Sequence, residues 1–129
     1  MKLRIRGDSI RFRLGQSEVR KLVDQGSVEE RTTFAPGVAL AYRLELGDAS
    51  ARGVIHATLS GSDVVVRLPR DAVLGWSASD DVALAADQSA GPGRTLRILI
   101  EKDFACLDAS ADEPQDDAFP NPLASTTSC

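Results

Sequence analysis

Aromatic side chains are scarce in this sequence: four Phe, one Trp and one Tyr among 129 residues. Any core must therefore be aliphatic, made of Val, Leu, Ile and Ala. The hydrophobic share, 43%, is that of an ordinary globular protein, and the length suits a single domain. Long apolar runs are missing too, and none approaches the roughly 18 residues of a membrane helix. The opening Met1-Lys2-Leu3-Arg4-Ile5-Arg6 alternates charge with hydrophobe, so no signal peptide is expected and the expected location is cytoplasmic. Histidine occurs once, as His56, which nearly excludes a four-ligand zinc site unless carboxylates or a second chain contribute. The two cysteines, Cys106 and Cys129, both lie late in the chain. A disulfide there would close a loop carrying little fold, and a reducing cytosol would not keep it. No Gly-rich phosphate loop is present, since Gly91-Pro92-Gly93 lacks a following Lys and a helix start. No cofactor and no resident metal are expected.

Basic residues are absent from the end of the chain. All 15 Lys and Arg fall within residues 1–102, alongside 13 of the 19 acids, while residues 103–129 hold the other six acids and no base. The first 21 residues carry seven bases against two acids. Head and tail are electrostatic opposites. Twelve of the bases are Arg, whose planar fork suits phosphate, although an Arg- and Ala-rich chain also follows from base composition alone.

What is present is legible as alternation. Residues 2–6 and 9–14 each alternate about Gly7-Asp8, which predicts a hairpin with one buried and one basic face. Over 16–25 the period lengthens: Val19, Leu22 and Val23 sit at helical spacing, with Gly26 as C-terminal cap. Gly15 or Ser17 can serve as N-cap; with Gly15 in that place Glu18 falls at the third helical position, half of a capping box. Strands are predicted over 28–34, 38–46, 54–59, 63–68, 82–86 (weak) and 94–102, with a second short helix from Pro69 to Trp76. The order ββαββββαββ implies an α+β fold, mainly one antiparallel sheet or a partly closed barrel with two short helices. Residues 1–107 form the expected domain. Residues 108–129 are rich in Asp, Ser, Ala, Pro and Thr and are expected to be an acidic, flexible tail.

The candidate surface is the basic face of the first hairpin. Lys2, Arg4, Arg6, Arg11 and Arg13 should leave the same side, joined by Arg43, Arg67 and Arg97 if their strands share that sheet with the same side inward. Clustered Arg could hold a phosphate-containing or other anionic ligand, or an acidic partner segment. Competing readings are a solvated face neutralised by Glu29, Glu45 and Glu101, or masking by the acidic tail. Nucleic acid is not expected as a partner, because Phe12 and Tyr42 face inward and the pI is near 4.9. His56 has no acid or nucleophile in a motif beside it, and the paired acids Asp80-Asp81 and Asp116-Asp117 read as turn and tail. No catalytic residue is assigned. The expected function is a non-enzymatic binding module. The alternative is a small phosphohydrolase with a metal held by Glu45 and Glu101.

Lys2 to Leu14, followed by Gln16-Ser17-Glu18-Val19, resembles the start of a family of small bacterial proteins of unknown function. Ile98 to Leu107 and Phe119-Pro120-Asn121-Pro122 resemble that family's other end. The resemblance covers nearly the whole chain and implies no activity. Gly15 departs from the family's Thr at the helix cap. A looser analogy is to triphosphate-tunnel (CYTH-like) domains, which line a channel with Arg and Lys. Their opening strand carries metal-binding glutamates where this chain has Lys2, Arg4 and Arg6.

Overall fold

Two hairpins, a helix between them, and then the same again: this is how the alternating runs assemble. The computed structural model of the chain describes residues 1–47, 54–104 and 119. Its elements are β1 (Lys2–Arg6), β2 (Ser9–Leu14), α1 (Gln16–Gln25), β3 (Ser27–Ala35), β4 (Val38–Leu46), β5 (His56–Ser60), β6 (Asp63–Leu68), α2 (Arg70–Ser77), β7 (Ala83–Gly91) and β8 (Arg94–Lys102). Gly7 and Gly61 open the two-residue turns of the first and third hairpins with φ of 53° and 59°. That left-handed conformation matches the twist of the flanking strands. The space around both glycines is open, so backbone conformation rather than crowding selects them.

The α+β class and the element order are as the sequence predicts. The strands, however, divide between two mixed sheets, β1-β2-β8-β7 and β3-β4-β6-β5, and neither closes into a barrel. In each, two antiparallel hairpins meet along a parallel central pair, β2 with β8 and β4 with β6. Hairpin signals are local and were readable. The parallel pairings join residues far apart in sequence, which no turn announces.

The arrangement is an internal repeat of a ββαββ unit. Lys2–Arg6 corresponds to His56–Ser60, Ser9–Leu14 to Asp63–Leu68, Ser27–Ala35 to Ala83–Gly91, and Val38–Leu46 to Arg94–Lys102, each pair equal in length. Pairings correspond as well: Ser9↔Arg97 and Leu14↔Lys102 in one sheet answer Asp63↔Ala41 and Leu68↔Leu46 in the other. Even the irregularities match, with register shifts at Thr33/Ala35 and at Ser89/Gly91. Exchange of the second hairpin between halves builds each sheet from both.

Both sheets turn their aliphatic sides to one core that holds Phe12, Leu14, Leu22, Leu44, Val66, Leu68, Val73, Trp76, Ile98 and Ile100. The Phe12 and Tyr42 rings meet across it at 6.5 Å. Helix α1 begins at Gly15, whose N–H donates to Glu18 Oε1 at 2.9 Å, the expected half box, and ends at Gly26. Strand β7 runs to Gly91 although its second half, Asp87-Gln88-Ser89-Ala90, has poor strand propensity. Pairing along β8 overrides that preference. The side-chain amide of Gln88 crosses to the other sheet, accepting the Ala57 N–H at 2.7 Å and donating to the Ala57 carbonyl at 2.8 Å.

Cys106, Cys129 and the expected tail lie outside the described residues, apart from Phe119. That residue packs on its own domain: its N–H donates to the Asp103 carbonyl at 2.8 Å and its ring lies 5.9 Å from Phe104. Lys102, 5% exposed, sits between Trp76 and Phe119 at 5.6 and 5.5 Å and donates to the Ser79 carbonyl at 2.6 Å. Among the described residues no helix is long and apolar enough to cross a membrane.

Candidate functional site: a basic sheet face

Strand parity gathers the opening bases on one surface. In β1 and β2, Leu3 faces the core side with Ile10, Phe12 and Leu14, so Lys2, Arg4, Arg6, Arg11 and Arg13 leave on the other side. Arg97 of β8 pairs with Ser9 and joins them. Arg43 and Arg67 do not, because β4 and β6 belong to the second sheet. Register places Lys2 opposite Arg13 and Arg4 opposite Arg11. Like charges so placed repel, an arrangement sheets ordinarily avoid.

Carboxylates neutralise part of this surface. Glu101 Oε1 lies 3.0 Å from Arg11 Nε and its Oε2 lies 3.7 Å from Arg13 Nε. Lys2 pairs with Asp103 at 3.2 Å and Arg97 with Asp87 at 3.0 Å. Arg4 and Arg6 make no ion pair among the described residues. With Ser9, Ile10, Arg11 and Leu99 they line a hollow of roughly 110 Å³, about the bulk share of three or four waters. The sink for positive charge is thus filled at one end of the hairpin and open at the other.

The second half of the repeat supplies an internal control. Counterparts of Lys2, Arg4 and Arg11 are His56, Thr58 and Val65, which line a hollow of roughly 240 Å³ on the outer face of the second sheet. Counterparts of Arg13 and Glu101 are Arg67 and Glu45, and these keep both identity and contact. Arg67 Nη2 lies 2.9 Å from Glu45 Oε1, with Arg43 Nη2 3.3 Å from Oε2. The Arg–Glu pair between central strands therefore recurs wherever the unit occurs, whereas the charges at positions 2, 4 and 11 do not.

Glu45 and Glu101, the carboxylates expected for a metal in the alternative reading, stand on different sheets and are each engaged by two arginines. Among the described residues no three His, Cys, Asp or Glu are grouped to hold a metal ion.

A second polar cluster went unread in the sequence. The Met1 amino group is buried against Glu18 and Glu30, lying 2.6 Å from Glu30 Oε1, and Tyr42 donates to Glu30 Oε2 at 3.3 Å. Burial alone would lower the amine's pKa, but hydrogen bonds and charge from Glu18 and Glu30 outweigh it, and the pKa is raised. Burial likewise opposes ionisation of Glu30, and the same amine overturns that effect, leaving its pKa lowered. Burial pushes the Tyr42 phenol up. Glu18 stands in the sequence as half of a capping box, which gives no hint of the amine, and Glu30 stands in no motif. Alternation marks Glu30 as inward-facing beside Val28, the one available signal.

The internal repeat was also missed, since the sequence shows no solenoid period. Its trace is thin: Gly7/Gly61, Arg13-Leu14/Arg67-Leu68, Val19/Val73, Pro36-Gly37/Pro92-Gly93, Leu40/Leu96 and Glu45/Glu101 recur at near-constant spacing.

No curated protein and no solved structure matches the chain. The triphosphate-tunnel analogy finds no support, as the strands form two open sheets and no tunnel. A family model, described as a family of unknown function (DUF7009), matches residues 1–123. The resemblance of the two ends of the sequence is thereby explained: the chain belongs to that family.

Proposed function

We propose that the protein is a non-enzymatic binding module whose working surface is the outer face of β1 and β2, engaging an anionic ligand or an acidic partner segment. One observation carries this reading. On equivalent backbone in the second half, Thr58 and Val65 stand where Arg4 and Arg11 oppose each other. The unit folds without those charges, and placing them opposite one another costs stability. Their presence is accounted for if an anion meets them. Arg4 and Arg6, unpaired among the described residues, supply free guanidinium forks, and Arg11, held through Nε by Glu101, lines the same hollow.

The test is titration of the protein with inorganic tripolyphosphate and with a poly-glutamate peptide, across a range of salt. Arg4→Gln, Arg6→Gln, Arg11→Gln and Arg13→Gln combined should weaken binding by about tenfold or more and flatten its salt dependence. Unchanged affinity removes this surface from the account.

A further inference from the structure

We infer that the free edge of β1 accepts an extended acidic segment of a partner protein as an added strand. This rests on the reading of the basic face given above and names its ligand class.

The repeat shows how such an edge is satisfied. Strand β5 is the edge counterpart of β1, and Gln88 occupies it. One primary amide accepts the Ala57 N–H and donates to the Ala57 carbonyl, at 2.7 and 2.8 Å. It offers an acceptor and a donor side by side, as a neighbouring strand does. Leu3 stands at the same register position, opposite Phe12 as Ala57 is opposite Val66. In an antiparallel ladder such residues turn their backbone groups away from the paired strand. Leu3 and Ile5 therefore present N–H and C=O to the open side of β1. Thr32 takes the place of Gln88, and a lone hydroxyl cannot present that pair. Among the described residues no side chain caps Leu3.

Among the described residues each of the other edges carries a local interruption. Strands β3 and β7 shift register beside their turns, at Thr33/Ala35 and Ser89/Gly91, where such irregularities interrupt an edge locally. Strand β5 is capped at Ala57. Among the described residues β1 alone shows neither a register shift nor a cap, and its guard is charge: Lys2, Arg4 and Arg6 on alternate residues. A second copy pairing through its own β1 would set these bases against one another. A strand with Asp or Glu at alternate positions would meet them favourably, and its intervening apolar side chains would cover Ile5, which is 59% exposed. Charge thus excludes self-pairing and selects an acidic strand.

The experiment uses the full chain and three acetylated, amidated peptides of alternating Glu and Val. One is unmodified, one is N-methylated at every Val and one at every Glu. In a strand added antiparallel to β1, the geometry inferred here, residues opposite Leu3 and Ile5 carry the inward, apolar side chains, so the Val amides donate to β1 and the Glu amides point away. Binding measured by calorimetry should fall by about tenfold or more on Val methylation. Glu methylation should change it by no more than about threefold. Equal affinity for all three overturns strand addition while leaving the anion face intact. So does binding of tripolyphosphate, lost with Arg4→Gln and Arg6→Gln, without binding of any peptide. Absence of binding by peptide and tripolyphosphate alike removes both readings. A dimer seen by sedimentation that the peptide dissociates would make a second copy the natural occupant, and would also overturn the inference.

Discussion

Replacing Arg4 with Thr, the residue its counterpart Thr58 carries, separates what the fold requires from what the face is for. Arg4 stands opposite Arg11, whose side chain is 34% exposed and held by Glu101 at 3.0 Å. Like charges directly opposed across strands cost roughly 0.2–1 kcal/mol, and because Arg4 itself is exposed the lower half of that range applies. Thr is favoured on a half-buried pleated surface, which acts in the same direction. R4T should therefore gain about 0.2–0.5 kcal/mol, or about 1–2 °C in Tm for a domain of this size. The gain should shrink in salt, as the screening length falls from about 10 Å at 0.1 M to about 3 Å at 1 M. Urea unfolding at low and high salt measures it, with anion titration of the same variant alongside. More stability with less binding is the signature of a functional charge kept at a cost. The reasoning fails if R4T is less stable than the parent at low salt, or if it binds anions as the parent does.

Other consequences follow from the repeat and the buried polar groups. Gln88→Ala removes two hydrogen bonds from the Ala57 edge and should cost about 1–2 kcal/mol. Faster hydrogen exchange at the Ala57 amide should accompany it, and an unchanged rate would show that Gln88 does not cap the strand. Lys102 occupies the slot that Leu46 fills in the first half. Lys102→Ala opens a cavity and should cost about 2–4 kcal/mol, whereas Lys102→Leu should cost much less. Equal losses in urea unfolding would mean that the bond to the Ser79 carbonyl, rather than packing, dominates. The amine–Glu30 pair fixes a pH profile. The Met1 amine has a raised folded pKa, so its contribution is fully present below its ordinary value of 8.0 and is lost as pH rises through the raised one. Glu30 has a lowered folded pKa, so its contribution is present above 4.5 and is lost as pH falls through the lowered one. Stability should fall on both sides of that window, and Glu30→Gln should remove part of both slopes. A variant with unaltered slopes would refute the assignment.

Strand boundaries were legible because a period of two leaves little choice of face once Ile10, Phe12 and Leu14 must be buried. The helix ends were legible for a different reason: Gly15 with Glu18, and Gly26 after Leu22, satisfy specific orphan groups. What alternation cannot reveal is which strand lies beside which. The pairings β2–β8 and β4–β6 depend on the way two hairpins share a core, so whether Arg43 and Arg67 share a sheet with the opening bases stays open in the sequence, and they prove to lie on the other one. The extent of β7 escaped for a related reason, since Asp87 and Ser89 have no preference for a strand until Arg97 and Thr95 pair with them. The Met1–Glu30 contact is a meeting of chain start and sheet, which no local pattern encodes.

The repeat bears directly on where function should be sought. Residues identical between the halves do identifiable structural tasks. Gly7 and Gly61 turn their hairpins, Leu14 and Leu68 fill the core, and Arg13–Glu101 and Arg67–Glu45 tie central strands together. Residues that differ on the outer faces have been relieved of such tasks, since the other half folds without them. Some of these differences carry a local contact of their own: Asp8, which stands where the other half has Ser62, pairs with Arg94 at 3.3 Å. Those at positions 2, 4, 6 and 11 are not neutral, because they add repelling charge to an edge hairpin, and Arg4 and Arg6 are left without carboxylates among the described residues. A duplicated scaffold lets one copy carry that electrostatic burden while the pairing of both halves into each sheet holds the fold together. The place where the halves agree in register and disagree in charge is the hairpin of β1 and β2, and the same hairpin carries an edge that no side chain caps among the described residues.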